Sequence, residues 1–271
     1  MSNILIIGNI LKDVYLRLDE RQNNFEVDEN GTPWLDLGFD GSTHQFFRRN
    51  SIYGGAAVAM EVLNRFDLSA RIAGAKLGFV SGEVIPNGQQ AAGYRYMLCH
   101  GNKITYFVSG DREETKWVAP TDAVDWIFVD RSAHVDNELV GHIDDYLEQH
   151  PATKLIVYTE KPLVDTNQRL LKLASLIFTE HPDRGWQNYK KPVFIISKNK
   201  IKVSTIEQDW DLPIKTMLTR LTAYSIITAT IFSALLNGKK IRKALLFAKT
   251  NVENSSLNST LSEEKIEEIA G

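Results

Sequence analysis

Asn3-Ile4-Leu5-Ile6-Ile7-Gly8 is an unbroken apolar run closed by glycine, the pattern of a strand covered on both faces. A strand with one wet face would alternate apolar and polar residues instead. The run therefore predicts an interior strand of a parallel sheet, and we expect it at the sheet's centre. Parallel neighbours need crossover connections, and the later sequence supplies them. It reads as strand 126–129, helix 138–149, strand 155–158, helix 166–174, strand 176–179 and strand 193–196. Strands separated by helical segments of that length imply right-handed crossovers and an α/β fold.

Between Asp13 and Tyr53 the texture differs. Val14-Tyr15-Leu16-Arg17-Leu18-Asp19 alternates, Asp28-Glu29-Asn30-Gly31 and Asp40-Gly41 punctuate, and Gln45-Phe46-Phe47-Arg48 adds an extended piece. Short antiparallel strands standing apart from the main sheet are expected there. From Gly54 to Phe66 the pattern turns helical, with Ala57, Met60, Val62 and Leu63 forming one apolar stripe. Further helices are expected at about 222–236 and 241–248, and Thr260-Leu261-Ser262-Glu263 offers a capping box for a last short helix.

With 271 residues, one large domain spanning 1–271 is the expected organisation. A formal charge of -3 argues against nucleic acid as a partner. The single cysteine, Cys99, excludes an intramolecular disulfide. The start of the chain shows no secretory pattern, so a cytoplasmic setting is expected. The longest apolar stretch, Ala223 to Leu236, falls short of the ~20 residues of a membrane span, and reads as a buried helix.

Three segments carry a resemblance. Ile6-Ile7-Gly8-Asn9-Ile10-Leu11-Lys12-Asp13, Tyr53-Gly54-Gly55-Ala56-Ala57-Val58-Ala59 and Ala234-Leu235-Leu236-Asn237-Gly238-Lys239-Lys240-Ile241-Arg242-Lys243-Ala244-Leu245-Leu246-Phe247-Ala248 resemble the opening strand, glycine-pair helix and distal helix pair of the ribokinase-like (PfkB) carbohydrate kinases. The resemblance implies a three-layer α/β/α fold with a mostly parallel central sheet and a small β lid. It places that lid at about 14–53, with a contribution from about 94–116. It further implies a sugar-like or nucleoside-like ligand, with ATP and Mg as cofactors. A homodimer through the lid is also expected, because an exposed sheet edge invites a partner. Substrate contacts fall on Asp13, whose carboxylate can accept two hydroxyl bonds at once, on Asn9, on Gly54 and Gly55, and on Arg95. Arg112 lies in the same hairpin-like stretch as Arg95, and either arginine could pair with an anion or lie along its strand as a snorkelling residue.

The distal segment also shows a departure. Counting back from it without a gap puts the family's Gly-Ala-Gly-Asp motif on Thr222-Ala223-Tyr224-Ser225. In a working kinase the glycines let backbone N–H groups converge on the transferring phosphoryl, and the Asp accepts the hydroxyl proton. Here Ser225 stands at the base position and Thr222, Ala223 and Tyr224 at the phosphate-binding positions. A serine at its ordinary pKa is no base, and Tyr224 brings a ring where bare backbone is needed. Glu180-His181-Pro182 and Ser197-Lys198-Asn199 stand where the family has its Asn-Glu motif and Thr-Leu-Gly turn. Ala59 falls where the family has an Asn.

Other candidates carry two readings each. His181 and Asp183 could supply a substitute base at a strand end, or form a solvated turn around Pro182. Asp209 and Asp211 could hold magnesium through water, or belong to a plain loop around Trp210. Asp130 and His134 frame a strand end at the rim of a cleft, with no nucleophile motif between them. No metal site is expected from the protein's own residues. The functional expectation is a PfkB-like sugar or nucleoside kinase with weak or no phosphoryl transfer, a pseudokinase. The alternative is a non-catalytic binding or regulatory protein on the same scaffold.

Overall fold

The computed structural model describes residues 2–17, 25–27, 33–35, 49–74, 78–81, 93–100, 103–109, 117–181, 189–197, 199–204, 209–216, 218, 220–255 and 260–270. In chain order its first elements are β1 (Asn3–Ile7), β2 (Ile10–Arg17), β3 (Phe25–Val27), β4 (Pro33–Leu35), β5 (Arg49–Gly55) and α1 (Ala56–Arg65). Then come β6 (Ser69–Gly74), β7 (Gly78–Ser81), β8 (Gly93–His100), β9 (Lys103–Ser109), β10 (Trp126–Val129), α2 (Asn137–Gln149) and β11 (Lys154–Thr159). The last are α3 (Gln168–Leu173), β12 (Leu176–Thr179), β13 (Val193–Ser197), β14 (Lys200–Ser204), β15 (Asp209–Pro213), α4 (Arg220–Leu236), α5 (Ile241–Asn254) and α6 (Glu263–Ala270).

Nine of these strands form one sheet in the order β15-β14-β13-β12-β11-β10-β1-β6-β7. The run from β6 to β13 is parallel, and β7, β14 and β15 add antiparallel edges. The α/β class is as expected. β1 is interior, but β11 stands at the middle of the nine, so the expectation of β1 as the central strand is corrected. Period-2 alternation explains its unbroken apolar run. Ile4 and Ile6 join the core shared with α1, α4 and α5. Leu5 and Ile7 join the opposite core under α2 and α3. Helices on both faces of one sheet make the three-layer α/β/α arrangement.

A ladder of rings ties the α4 face together. Phe232 of α4 lies 5.3 Å from Trp126 and 6.1 Å from Phe128, and Phe178 stacks on Phe194 at 5.1 Å. Helix α4 is buried from Thr222 to Ala234, which explains its nearly uniform apolar composition. Its interior hydroxyls bond back along the helix, Thr228 Oγ1 to the Tyr224 carbonyl and Ser233 Oγ to the Ala229 carbonyl, both at 2.7 Å.

A separate four-stranded sheet runs β5-β2-β8-β9. Its described strands lie at 10–17, 49–55, 93–100 and 103–109. β2 pairs parallel with β8, so the sheet is mixed rather than antiparallel. The last helix is also capped differently. Ser262, not Thr260, sits before it, its carbonyl accepting from Ile266 N and its Oγ from Lys265 N. Asp209 and Asp211, read as loop residues, lie in the edge strand β15.

The two sheets meet where β5 enters α1. Gly55 has φ +62°, and a Cβ there would stand 2.5 Å from the Asn9 carbonyl oxygen. The glycine is thus required twice, by the backbone angle and by the close approach. Gly55→Ala should cost about 3 kcal/mol, read from the urea midpoint at an unchanged m-value.

Candidate functional site

Four parallel strands end in two level pairs, β1 with β10 and, two residues further on, β11 with β12. Ile7 pairs with Val129, Val129 with Val157, and Thr159 with Thr179. The residues that follow each strand therefore line one edge, the carboxyl end of a parallel sheet, where α/β folds place their ligands. They are Gly8 and Asn9, then Asp130, Arg131 and Ser132, then Glu160, and finally Glu180. The interior of a sheet covered on both faces disfavours charge, and the strand ends can hold it when it is paired.

Arg131 is the hub. Its Nη2 donates to Glu160 Oε2 at 2.9 Å, and its Nη1 stands 2.7 Å from Glu180 Oε1. The Glu180 side chain is 2% exposed and the Arg131 side chain 11%, so this pair is desolvated and depends on good geometry. The guanidinium also lies 5.9 Å over the Tyr158 ring, whose hydroxyl donates to the same Glu180 oxygen at 3.3 Å. Burial alone would weaken the Arg131 charge, but Tyr158, Glu180 and Glu160 outweigh it and hold the guanidinium above its ordinary range. Burial pushes Tyr158 well up, against the pull of Arg131, with Glu180, Asp130 and Tyr224 adding to the rise. Tyr158 is therefore a neutral hydroxyl and a donor.

Beside it, Asp130 is 1% exposed and accepts twice from Ser132, from Oγ at 2.5 Å and from N at 2.8 Å, all at Oδ2. Ser132 Oγ accepts the Asn9 amide at 3.0 Å, and Asn9 Nδ2 donates to the Ser132 carbonyl at 3.1 Å.

The residues expected to bind substrate fall at two neighbouring places. Asn9 and Gly55 stand at this strand edge. In the second sheet Asp13 pairs in register with Ile52 on one side and Arg95 on the other, and Leu11 with Gly54. Arg112 and Asp183 lie outside the described residues. Thr222, Ala223, Tyr224 and Ser225 are all buried, Tyr224 and Ser225 at 2% each, inside the first two turns of α4. The helix starts at Arg220, so the amides of Tyr224 and Ser225 fall where the i→i−4 pattern consumes them. Tyr224 touches the strand edge electrically through Tyr158. His181 is half-buried, its amide donating to Thr179 Oγ1 at 3.1 Å. Asp211 pairs with Lys200 at 3.0 Å across the β14–β15 hairpin, and among the described residues no group of three or more His, Cys, Asp or Glu is placed to hold a metal ion. No described helix is long and apolar enough to cross a membrane. The Arg131–Glu160–Glu180–Tyr158 cluster escaped the sequence reading. Its available signal was position, since Glu160 and Glu180 are each the first residue after a strand.

No protein-family model matches the sequence, and no curated protein sequence matches it. Solved structures do. An Arabidopsis thaliana ribokinase complexed with ribose and ATP aligns over 99% of this chain and 98% of its own, at 11% identity and a TM-score of 0.65. A carbohydrate kinase from Agrobacterium tumefaciens aligns over 100% and 97%, at 13% identity and 0.69. A Methanocaldococcus jannaschii nucleoside kinase of the ribokinase family aligns over 100% and 98%, at 11% and 0.64. The chain has the ribokinase-like fold, the scaffold on which those sugar and nucleoside kinases are built.

Two outcomes follow for the cluster. Arg131→Met leaves Glu180 buried without its counter-ion and should cost about 3–5 kcal/mol in urea unfolding. Tyr158 resists ionisation in the fold, so its contribution is complete below the ordinary tyrosine value of 10.0 and is lost as pH rises above it, because the unfolded chain releases that proton first. Tyr158→Phe should lose about 1 kcal/mol near neutrality and show a shallower loss of stability than wild type between about pH 9 and 11.

Proposed function

We propose that this chain binds a sugar-like or nucleoside-like ligand between the second sheet and the strand ends, on a kinase-like scaffold, with phosphoryl transfer weak or absent. The observation that carries the reading is the burial of Tyr224 and Ser225 within α4, at the positions where the resemblance implies a bare-backbone anion hole and a catalytic carboxylate. A working phosphoryl site presents unused N–H groups to the transferring group and a base to the acceptor. The amides of Tyr224 and Ser225 fall within the helical pattern, and a serine hydroxyl is a far weaker proton acceptor than the carboxylate the resemblance implies there. The transferring phosphoryl of Mg-ATP therefore does not fit at Tyr224 and Ser225.

The ligand side of the reading is supported by what stays in place. Asn9 and Gly55 stand where the chain passes between the two sheets, and Asp13 and Arg95 are register partners in the second sheet. Such a pairing of acceptor and donor positions suits a polyol, each hydroxyl of which both gives and takes a hydrogen bond. Ribose and ATP in the plant ribokinase, and the nucleoside specificity named for the archaeal kinase, make ribose and adenosine the first probes. A homodimer through the edges of the second sheet, in a cytoplasmic setting, belongs to the same proposal.

The test is the melting temperature of the full chain with millimolar ribose, adenosine, a wider panel of sugars and nucleosides, and Mg-ATP. Ligand at a hundred times its dissociation constant should stabilise the fold by ~2.7 kcal/mol, a shift of several degrees for a domain this size. A shift with a sugar or nucleoside, abolished by Asp13→Ala, is expected. Silence with every probe overturns the reading.

A further inference from the structure

Two of the chain's passages between the sheets meet at a single residue. The chain leaves the main sheet through Gly8 and Asn9 into β2, and it returns from β5 through Gly55 into α1. The Asn9 carbonyl accepts the Ala56 amide at 3.2 Å, which ties the departing strand to the first turn of α1. The Asn9 amide in turn donates to Ser132 Oγ, and its side-chain nitrogen to the Ser132 carbonyl. Ser132 spends its own hydroxyl proton and its backbone amide on Asp130 Oδ2. Asp130 is anchored by its amide to the Ile7 carbonyl at 2.8 Å, the continuation of the β1–β10 ladder.

We infer that Ser132, oriented by Asp130, is the positioning residue that sets the second sheet over the strand ends. One hydroxyl gives its proton to the main sheet's carboxylate and takes the proton of the departing strand's amide. A bond from a hydroxyl to a carboxylate is among the stronger kinds, and here it fixes the direction of the oxygen lone pair that Asn9 uses. The surroundings leave no slack. A Cβ on Gly8 would stand 2.9 Å from Ser132 Oγ, 3.0 Å from Asp130 Cβ and 3.1 Å from Ala56 Cβ. A Cβ on Gly55 would meet the Asn9 oxygen at 2.5 Å and Ser132 Cβ at 3.4 Å. The contact is polar and local, whereas the main sheet is held by its two apolar cores. Loss of the hydroxyl therefore frees the second sheet and leaves the main sheet closed, a local opening of the kind amide exchange resolves. This inference goes beyond the ligand reading and holds whether or not a ligand is found.

The experiment is hydrogen–deuterium exchange of the full-length wild type, Ser132→Ala and Asp130→Asn, without ligand. Ser132→Ala should speed exchange about tenfold in segments 10–17 and 49–58, the size expected for one lost hydrogen bond. Segments 126–129, 154–159 and 176–179 should exchange as in wild type. Asp130→Asn keeps an oxygen acceptor and drops the charge, so its effect should be confined to the same segments and smaller. Acceleration spread evenly over the chain, or none in 10–17 and 49–58, overturns the inference. Should Ser132→Ala fail to fold, the pattern in Asp130→Asn decides by the same criterion.

Discussion

The parallel register of β1, β10, β11 and β12 is the constraint on which the rest of this molecule depends. A sheet buried on both faces leaves its strand ends as the place where polar side chains can gather without stranding charge in a core. Because Ile7, Val129 and Val157 stand in register, residues far apart in the chain reach that edge together. Asp130, Glu160 and Glu180 bring three carboxylates. Arg131 answers two of them directly, while Asp130 spends an oxygen on Ser132. The planar guanidinium suits this role better than an ammonium, since its fork addresses two carboxylates at fixed angles.

The consequence for chemistry is a strand edge already occupied by its own partners. Arg131 faces Glu160 and Glu180, Tyr158 donates to Glu180, and Tyr224 approaches from α4. An open phosphoryl site keeps positive charge and bare amides available for the ligand. Here the Arg131 charge is paired inside the protein, and the amides of Tyr224 and Ser225 lie within the helical pattern. The opposite side, where the second sheet meets β1 and α1, keeps the glycine at the chain's turn and the polar positions of the opening strand. Tyr224 and Ser225, on the α4 side, are buried.

Much of the architecture was legible because it rests on local patterns. The apolar run at Ile4–Ile7, the stripe Ala57, Met60, Val62 and Leu63, and the alternating strands and helices after Trp126 each announce their element through periodicity. Other parts depended on neighbours. β15 reads Asp209-Trp210-Asp211-Leu212-Pro213, a loop by composition, yet an edge strand tolerates Pro and is protected from aggregation by charge. β14 alternates Lys200, Ile201, Lys202 and Val203, a period-2 signal that was present in the sequence and passed over. Ser262 displaced Thr260 as the last helix cap because the chain turns two residues later than the motif implied. In the site, Asn9 and Gly55 could be picked out from their own segments. Arg131 and its two glutamates were marked only by position, Glu160 and Glu180 each following a strand, since their pairing exists only through strand register.

Weak or absent phosphoryl transfer on this ribokinase-like scaffold is the proposal that rests on the α4 side. Its most direct test is the initial rate of γ-phosphoryl transfer from Mg-ATP to ribose, adenosine and related acceptors, measured on the intact chain. The account predicts a rate at least about a thousandfold below the ~1–100 s⁻¹ of working kinases. Turnover within that range, with any of these acceptors, would contradict it.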